Sequence, residues 1–135
     1  AESYPGVSLI LSYSPCIAHG VDMQHNHRQQ DLAVKSGHWP LLRYDPRLRE
    51  QGKNPMSVDS AAPSIPFREF ARNEARFTVL ERQHPEAAER FMAQAEEDAR
   101  LRHQEYLELA EMALPEAEIA KKAEEAGTPQ ETPNA

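Results

Sequence analysis

The sequence predicts an α/β fold: a βαβ portion of a doubly wound parallel sheet, followed by a helical extension. Three observations predict it. Residues 7–13 form a nearly continuous apolar run of strand length, with β-branched and aromatic members, as in strands buried on both faces. A helical stretch bounded by Asp22 and Gly37 comes next, and from Pro66 onward the apolar residues recur at helical spacing.

The elements follow in order. Tyr4-Pro5-Gly6 is a turn signal before the strand Val7–Tyr13, and Ser14-Pro15-Cys16 ends it, because Pro15 cannot donate to a ladder and biases Ser14 away from helix. After the short loop Ile17-Ala18-His19-Gly20, Asp22 is the N-cap of a helix to about Ser36, with Met23, Gln30 and Val34 at helical spacing and Gly37 as its stop. Trp39–Tyr44 is a second strand, which completes a βαβ unit over residues 1–45 with a right-handed crossover. Residues 46–66, with Pro46, Pro55, Pro63 and Pro66, read as a structureless strap laid over a larger body. In 67–114, one helix starts at Pro66 and carries Phe67, Phe70, Phe77 and Leu80 on one face. A second opens at Pro85, with Phe91, Ala95, Ala99, Tyr106, Leu109 and Ala113 on its face. Residues 115–135 have the polar composition of a disordered tail.

The 135 residues are 39% hydrophobic and 27% charged, and no apolar run approaches the roughly 20 residues of a bilayer crossing. The first residues show no basic-then-apolar leader, and the single cysteine points to a reducing cytoplasm. The net charge of −7 argues against nucleic acid as the main partner. The acidity lies late: residues 1–60 carry six acidic and six basic side chains, and residues 61–114 carry eleven and seven.

One cysteine, Cys16, excludes an internal disulfide and any cluster built from this chain's thiolates alone. Three readings of it stand side by side. It is a small buried hydrophobe behind a strand; or, with His19, His25 and His27 nearby, part of a zinc site or a Cys16–His19 nucleophilic pair; or one ligand of an iron–sulfur cluster. The zinc reading suffers because His25 and His27, at i and i+2, point about 200° apart on a helix, which makes them surface residues. Placement favours the cluster ligand. Cys16 follows Pro15 at the carboxyl end of a strand, where ligands sit in open α/β sheets.

The run from Ser3 through Tyr13-Ser14-Pro15-Cys16 to Gly20 resembles a segment near the end of the pyruvate:ferredoxin (flavodoxin) oxidoreductases. The resemblance continues through Gln29-Gln30, Leu32-Ala33-Val34, Ser36-Gly37-His38-Trp39-Pro40, Leu42-Arg43-Tyr44, Gly52-Lys53-Asn54-Pro55, Asp59-Ser60 and Pro66-Phe67, and so spans roughly residues 3–110. It implies that residues 1–45 end a thiamine-diphosphate-binding domain and that Cys16 is one ligand of the 4Fe-4S cluster nearest that cofactor. The other ligands would come from a distant part of a longer, homodimeric enzyme. That enzyme converts pyruvate and CoA to acetyl-CoA and CO2 and passes electrons through 4Fe-4S clusters to ferredoxin or flavodoxin. The Gly-Asp-Gly motif that holds the cofactor's diphosphate through Mg2+ is not in this sequence, nor are paired cysteines. The chain by itself is therefore expected to be inactive and marginally folded, as a fragment, a truncated remnant or one piece of a split subunit. The contrasting expectation is a noncatalytic, helix-rich interaction module that docks through a Phe67, Phe70 and Phe77 stripe.

Overall fold

The computed structural model describes residues 1–114; the expected disordered tail, 115–135, lies outside the described residues. The chain is mixed α and β. It divides into two compact units, one of residues 1–39 and 61–101 and one of residues 40–60 and 102 onward.

The first unit holds a helical core. Asp22 acts as the sequence predicts: its carboxylate accepts the Gln24 N–H at 3.0 Å. It opens a 3₁₀ turn, Met23–His25, that runs into helix α1, Asn26–Lys35. Gly37, at φ +72°, takes the left-handed position that stops the helix. A Cβ there would also lie 2.6 Å from the Pro63 side chain, so this turn requires glycine twice over. The buried face of α1 is Gln29 and Ala33; Met23 and Gln30, placed on that face by periodicity, are exposed.

Pro66 caps α3 (Phe67–Ala71), whose first N–H groups also receive an acid: Glu96 accepts from Phe67 N at 3.0 Å. The single helix expected over 67–80 is two helices. Residues 72–74 break it, and α4 runs Ala75–Gln83 after Glu74 in an extended conformation. Phe67, Phe70, Ala71, Ala33 and Met92 form the buried cluster, with Tyr13, Leu32, Trp39 and Phe77 packed against it. Phe67 and Phe70 are therefore interior and Phe77 is half-buried against them, so the three phenylalanines do not form an exposed docking stripe. Pro85 opens the 27-residue helix α5, Pro85–Glu111. In this unit α5 buries Ala88, Met92 and Ala99, while Phe91 is 49% exposed, one position off the expected stripe.

Val7–Tyr13 does not form a strand. Its segment has no ladder, and Val7, Leu9, Ile10 and Leu11 are 73–98% exposed. The reason is physical: a parallel strand buried on both faces needs neighbours at both edges, and the described residues supply none. The expected parallel βαβ unit is accordingly absent.

In the second unit, β1 (Leu42–Tyr44) pairs antiparallel with β2 (Met56–Val58), in the register Leu42↔Val58, Arg43↔Ser57 and Tyr44↔Met56. The partner strand comes from the stretch read as a structureless strap. That stretch also contains the short helix α2, Arg47–Glu50. Asp45 starts the turn by accepting from Arg47 N at 3.0 Å, an Asx turn after a strand. The Asn54 side chain donates to the Leu109 and Met112 carbonyls at 2.7 and 2.9 Å and accepts from Met56 N at 2.8 Å. It thereby satisfies two carbonyls at the end of α5 that the helix itself leaves open.

Candidate functional site

Cys16 lies in a short, well-defined loop of the first unit. Its own backbone is extended, and the 3₁₀ turn Ile17–His19 begins immediately after it. The His19 N–H donates to the Cys16 carbonyl at 3.0 Å and the Gly20 N–H to Ile17 at 2.9 Å. Gly20 closes the turn at φ +73°. Pro15 is buried and Cys16 is half-buried, so the thiol sits at the edge of a fixed backbone, not inside the core.

The histidines do not converge on it. His19 meets Cys16 through the backbone; His25 is exposed, with Nδ1 2.9 Å from the Asp22 carboxylate, and His27 is exposed on α1. Among the described residues, no three His, Cys, Asp or Glu side chains are placed to hold a metal ion. A nucleophilic pair needs a base hydrogen-bonded to the thiol, and the His19 ring makes no such bond.

A group that sequence reasoning missed lies beneath the loop. Glu74, 1% exposed, projects inward from the break between α3 and α4. Its Oε1 accepts from the Tyr13 hydroxyl and from Gln29 Nε2 (3.1 Å); its Oε2 accepts from Arg76 Nε. Gln29 also donates to the Phe70 carbonyl at 3.2 Å, tying α1 to the end of α3. Burial pushes the Glu74 carboxyl up, but the hydrogen bonds from Tyr13 and Gln29 and the Arg76 guanidinium outweigh it and hold the group below its usual value. Burial and the Glu74 carboxylate push the Tyr13 phenol up to about 12. Both groups therefore keep the protonation states that bond them: ionised Glu74, neutral Tyr13. Glu74 could have been noticed in the sequence. It stands four residues after Phe70 and three before Phe77, on the apolar face, where a solvated glutamate does not belong.

Apart from this network, the first unit has an apolar groove of about 300 Å³ lined by Phe67, Phe77, Leu80, Phe91 and Met92. Arg76 is the polar member of that lining, and its guanidinium already serves Glu74. The groove therefore offers no reactive group.

No family model matches the chain. Curated proteins do. The chain is 48% identical over 111 residues to the pyruvate:ferredoxin oxidoreductase of Moorella thermoacetica, covering 82% of this chain and 10% of that protein. It is 46% identical over 110 residues to the pyruvate-flavodoxin oxidoreductase of Trichormus variabilis, covering 82% and 9%. To the pyruvate-flavodoxin oxidoreductase of Enterobacter agglomerans it is 43% identical over 112 residues, covering 82% and 10%. The chain spans about a tenth of the length of the curated relatives it matches. As a segment of that extent, it belongs to the pyruvate:ferredoxin (flavodoxin) oxidoreductases.

Proposed function

We propose that this chain is the cluster-bearing end of the thiamine-diphosphate domain of a pyruvate:ferredoxin (flavodoxin) oxidoreductase, and that Cys16 is one ligand of a 4Fe-4S cluster. One observation carries the reading: a lone thiol stands on a hydrogen-bonded turn just after an apolar run that pairs with no strand among the described residues. Val7–Leu11 is exposed on both faces, as expected of a sheet strand separated from its neighbours. The names of the relatives support the pyruvate reaction and the ferredoxin or flavodoxin acceptor.

The donor set fits a shared site. A 4Fe-4S cluster takes about four protein ligands, and this chain has one cysteine, so the others belong to the rest of the enzyme. The cluster, when bound, carries electrons from the thiamine-linked oxidation of pyruvate towards the external acceptor. This chain's share is placement. Pro15 and the turn fix the direction of the Cys16 side chain. The turn already uses the His19 N–H, which leaves those of Ile17 and Ala18 to face a bound sulfur. In the same reading, residues 1–45 end the thiamine domain, 46–66 cross it, 67–114 are its helical extension and 115–135 its tail. Thiamine diphosphate, Mg2+, pyruvate and CoA are held by parts of the enzyme beyond this chain. The whole is a cytoplasmic homodimer; among the described residues no helix is long and apolar enough to cross a membrane.

Anaerobic reconstitution with iron and sulfide tests the single-ligand account. The chain alone is expected to yield no stable cluster. A 4Fe-4S signal from the chain as a monomer overturns the reading.

A further inference from the structure

We infer that Glu74 is a positioning residue for Cys16: the junction between α3 and α4 grips the cysteine loop at both ends and sets where the thiol points. The inference rests on the reading of Cys16 as a cluster ligand and extends it to residues about sixty positions away.

Two independent contacts make the grip. Three residues before Cys16, the Tyr13 hydroxyl donates to the buried Glu74 carboxylate. Four residues after it, Gly20 lies against Ala75, so closely that a Cβ on Gly20 would stand 3.0 Å from the Ala75 Cβ. Glu74 and Ala75 are consecutive, so one short stretch of backbone braces both sides of an eight-residue loop. Tyr13 is held further by the aromatic core, its ring meeting Phe70 edge-on at 5.9 Å and His38 edge-on at 5.8 Å. Gln29 and Arg76 hold the carboxylate from two other directions. Within the loop, the buried Pro15 and the two hydrogen bonds of the 3₁₀ turn carry that restraint to Cys16. The arrangement also accounts for the interrupted helix. A continuous α3–α4 helix would keep Glu74 in helical geometry, whereas the extended backbone at φ −123°, ψ 126° directs it to Tyr13 and Gln29.

The sole cysteine makes the test specific, because a thiol reagent added to the full chain reports on Cys16 alone. Rates of reaction with dithiobis(nitrobenzoate) are compared under native conditions, with circular dichroism confirming the helices. A hydrogen bond to a buried charge restrains local opening, so Tyr13→Phe is expected to speed the reaction about fivefold or more. Glu74→Ala and Gly20→Ala act in the same direction, and Glu74→Gln, which keeps an acceptor for Tyr13, restores part of the protection. Glu97→Gln, in an exposed ion pair with Arg100, leaves the rate unchanged. If Glu74→Ala unfolds the chain, Tyr13→Phe, which removes a single oxygen, carries the test. Rates within twofold of the parent for folded Tyr13→Phe and Gly20→Ala variants overturn the inference.

A second arm uses the complete oxidoreductase. Tyr13→Phe there is expected to retain every cluster but alter the electron paramagnetic resonance of one; an unaltered spectrum overturns the positioning role. A Cys16→Ala enzyme that keeps all its clusters refutes the ligand reading instead, and leaves the thiol-rate result standing. The two failures are thus separable.

Discussion

Val7–Leu11 and Phe67–Ala71 are both five-residue segments that closely follow a proline and carry large apolar side chains, and these side chains meet opposite fates. Phe67, Phe70 and Ala71 are at most 4% exposed, whereas Val7, Leu9, Ile10 and Leu11 are at least 73% exposed. The difference lies in where the partner is encoded. A helix satisfies its own backbone and needs only one covered face, which Ala33 and Met92 provide. A buried strand needs hydrogen-bonding neighbours at both edges, and such neighbours are remote in sequence. Burial of an apolar run therefore depends on which neighbours are present, and the proposed function places the neighbours of Val7–Leu11 in the rest of the enzyme.

The largest expected effect that tests this contrast is in the core. Phe70→Ala should cost about 3–5 kcal/mol, enough to unfold a small chain, as read by denaturant or thermal melts. A small loss there would put the supposed core in doubt. Next is Glu74→Ala, which strands Tyr13, Gln29 and Arg76 without their shared acceptor; about 2–3 kcal/mol is expected in the same melts. Gly37→Ala forces a side chain into the left-handed region and against Pro63, at about 1–3 kcal/mol. Smallest is Ile10→Ser in the exposed run, within about 0.5 kcal/mol for this chain. A large loss from Ile10→Ser would show that the run is covered after all.

The Tyr13–Glu74 pair adds a pH signature. The Tyr13 phenol lies above its ordinary value of 10.0, at about 12 in the folded chain. Its stabilising share is therefore intact below pH 10 and is lost as pH rises through about 12. Glu74 lies below its ordinary value, so its share is present above that value and is lost as pH falls through the lower, folded one. Melts of the Tyr13→Phe variant should lack the alkaline loss; an unchanged alkaline limb would show that Tyr13 is not its source.

Local signals were legible. Asp22 caps, Gly37 stops, and Pro66 and Pro85 begin helices where residue type requires it, because each acts within a few residues of itself. Pairing was not legible. Trp39–Tyr44 reads as a strand and its second half, Leu42–Tyr44, forms one, yet its antiparallel partner at Met56–Val58 sits in a proline-spaced stretch with no strong period. The apolar run 7–13 reads as a strand buried on both faces but forms none, since nothing local reveals a missing neighbour. Of the site, Cys16 stood out by its context, while Glu74 was lost among the acidic residues of the second half because its burial depends on Tyr13 and Gln29, 61 and 45 residues away.

In the proposed function, Cys16 completes a cluster whose other ligands lie elsewhere in the enzyme. Electron paramagnetic resonance of the reduced, complete oxidoreductase carrying Cys16→Ala tests it most directly. Loss or conversion of one 4Fe-4S signal with the others intact is expected; a full, unaltered set would show that Cys16 is not a ligand.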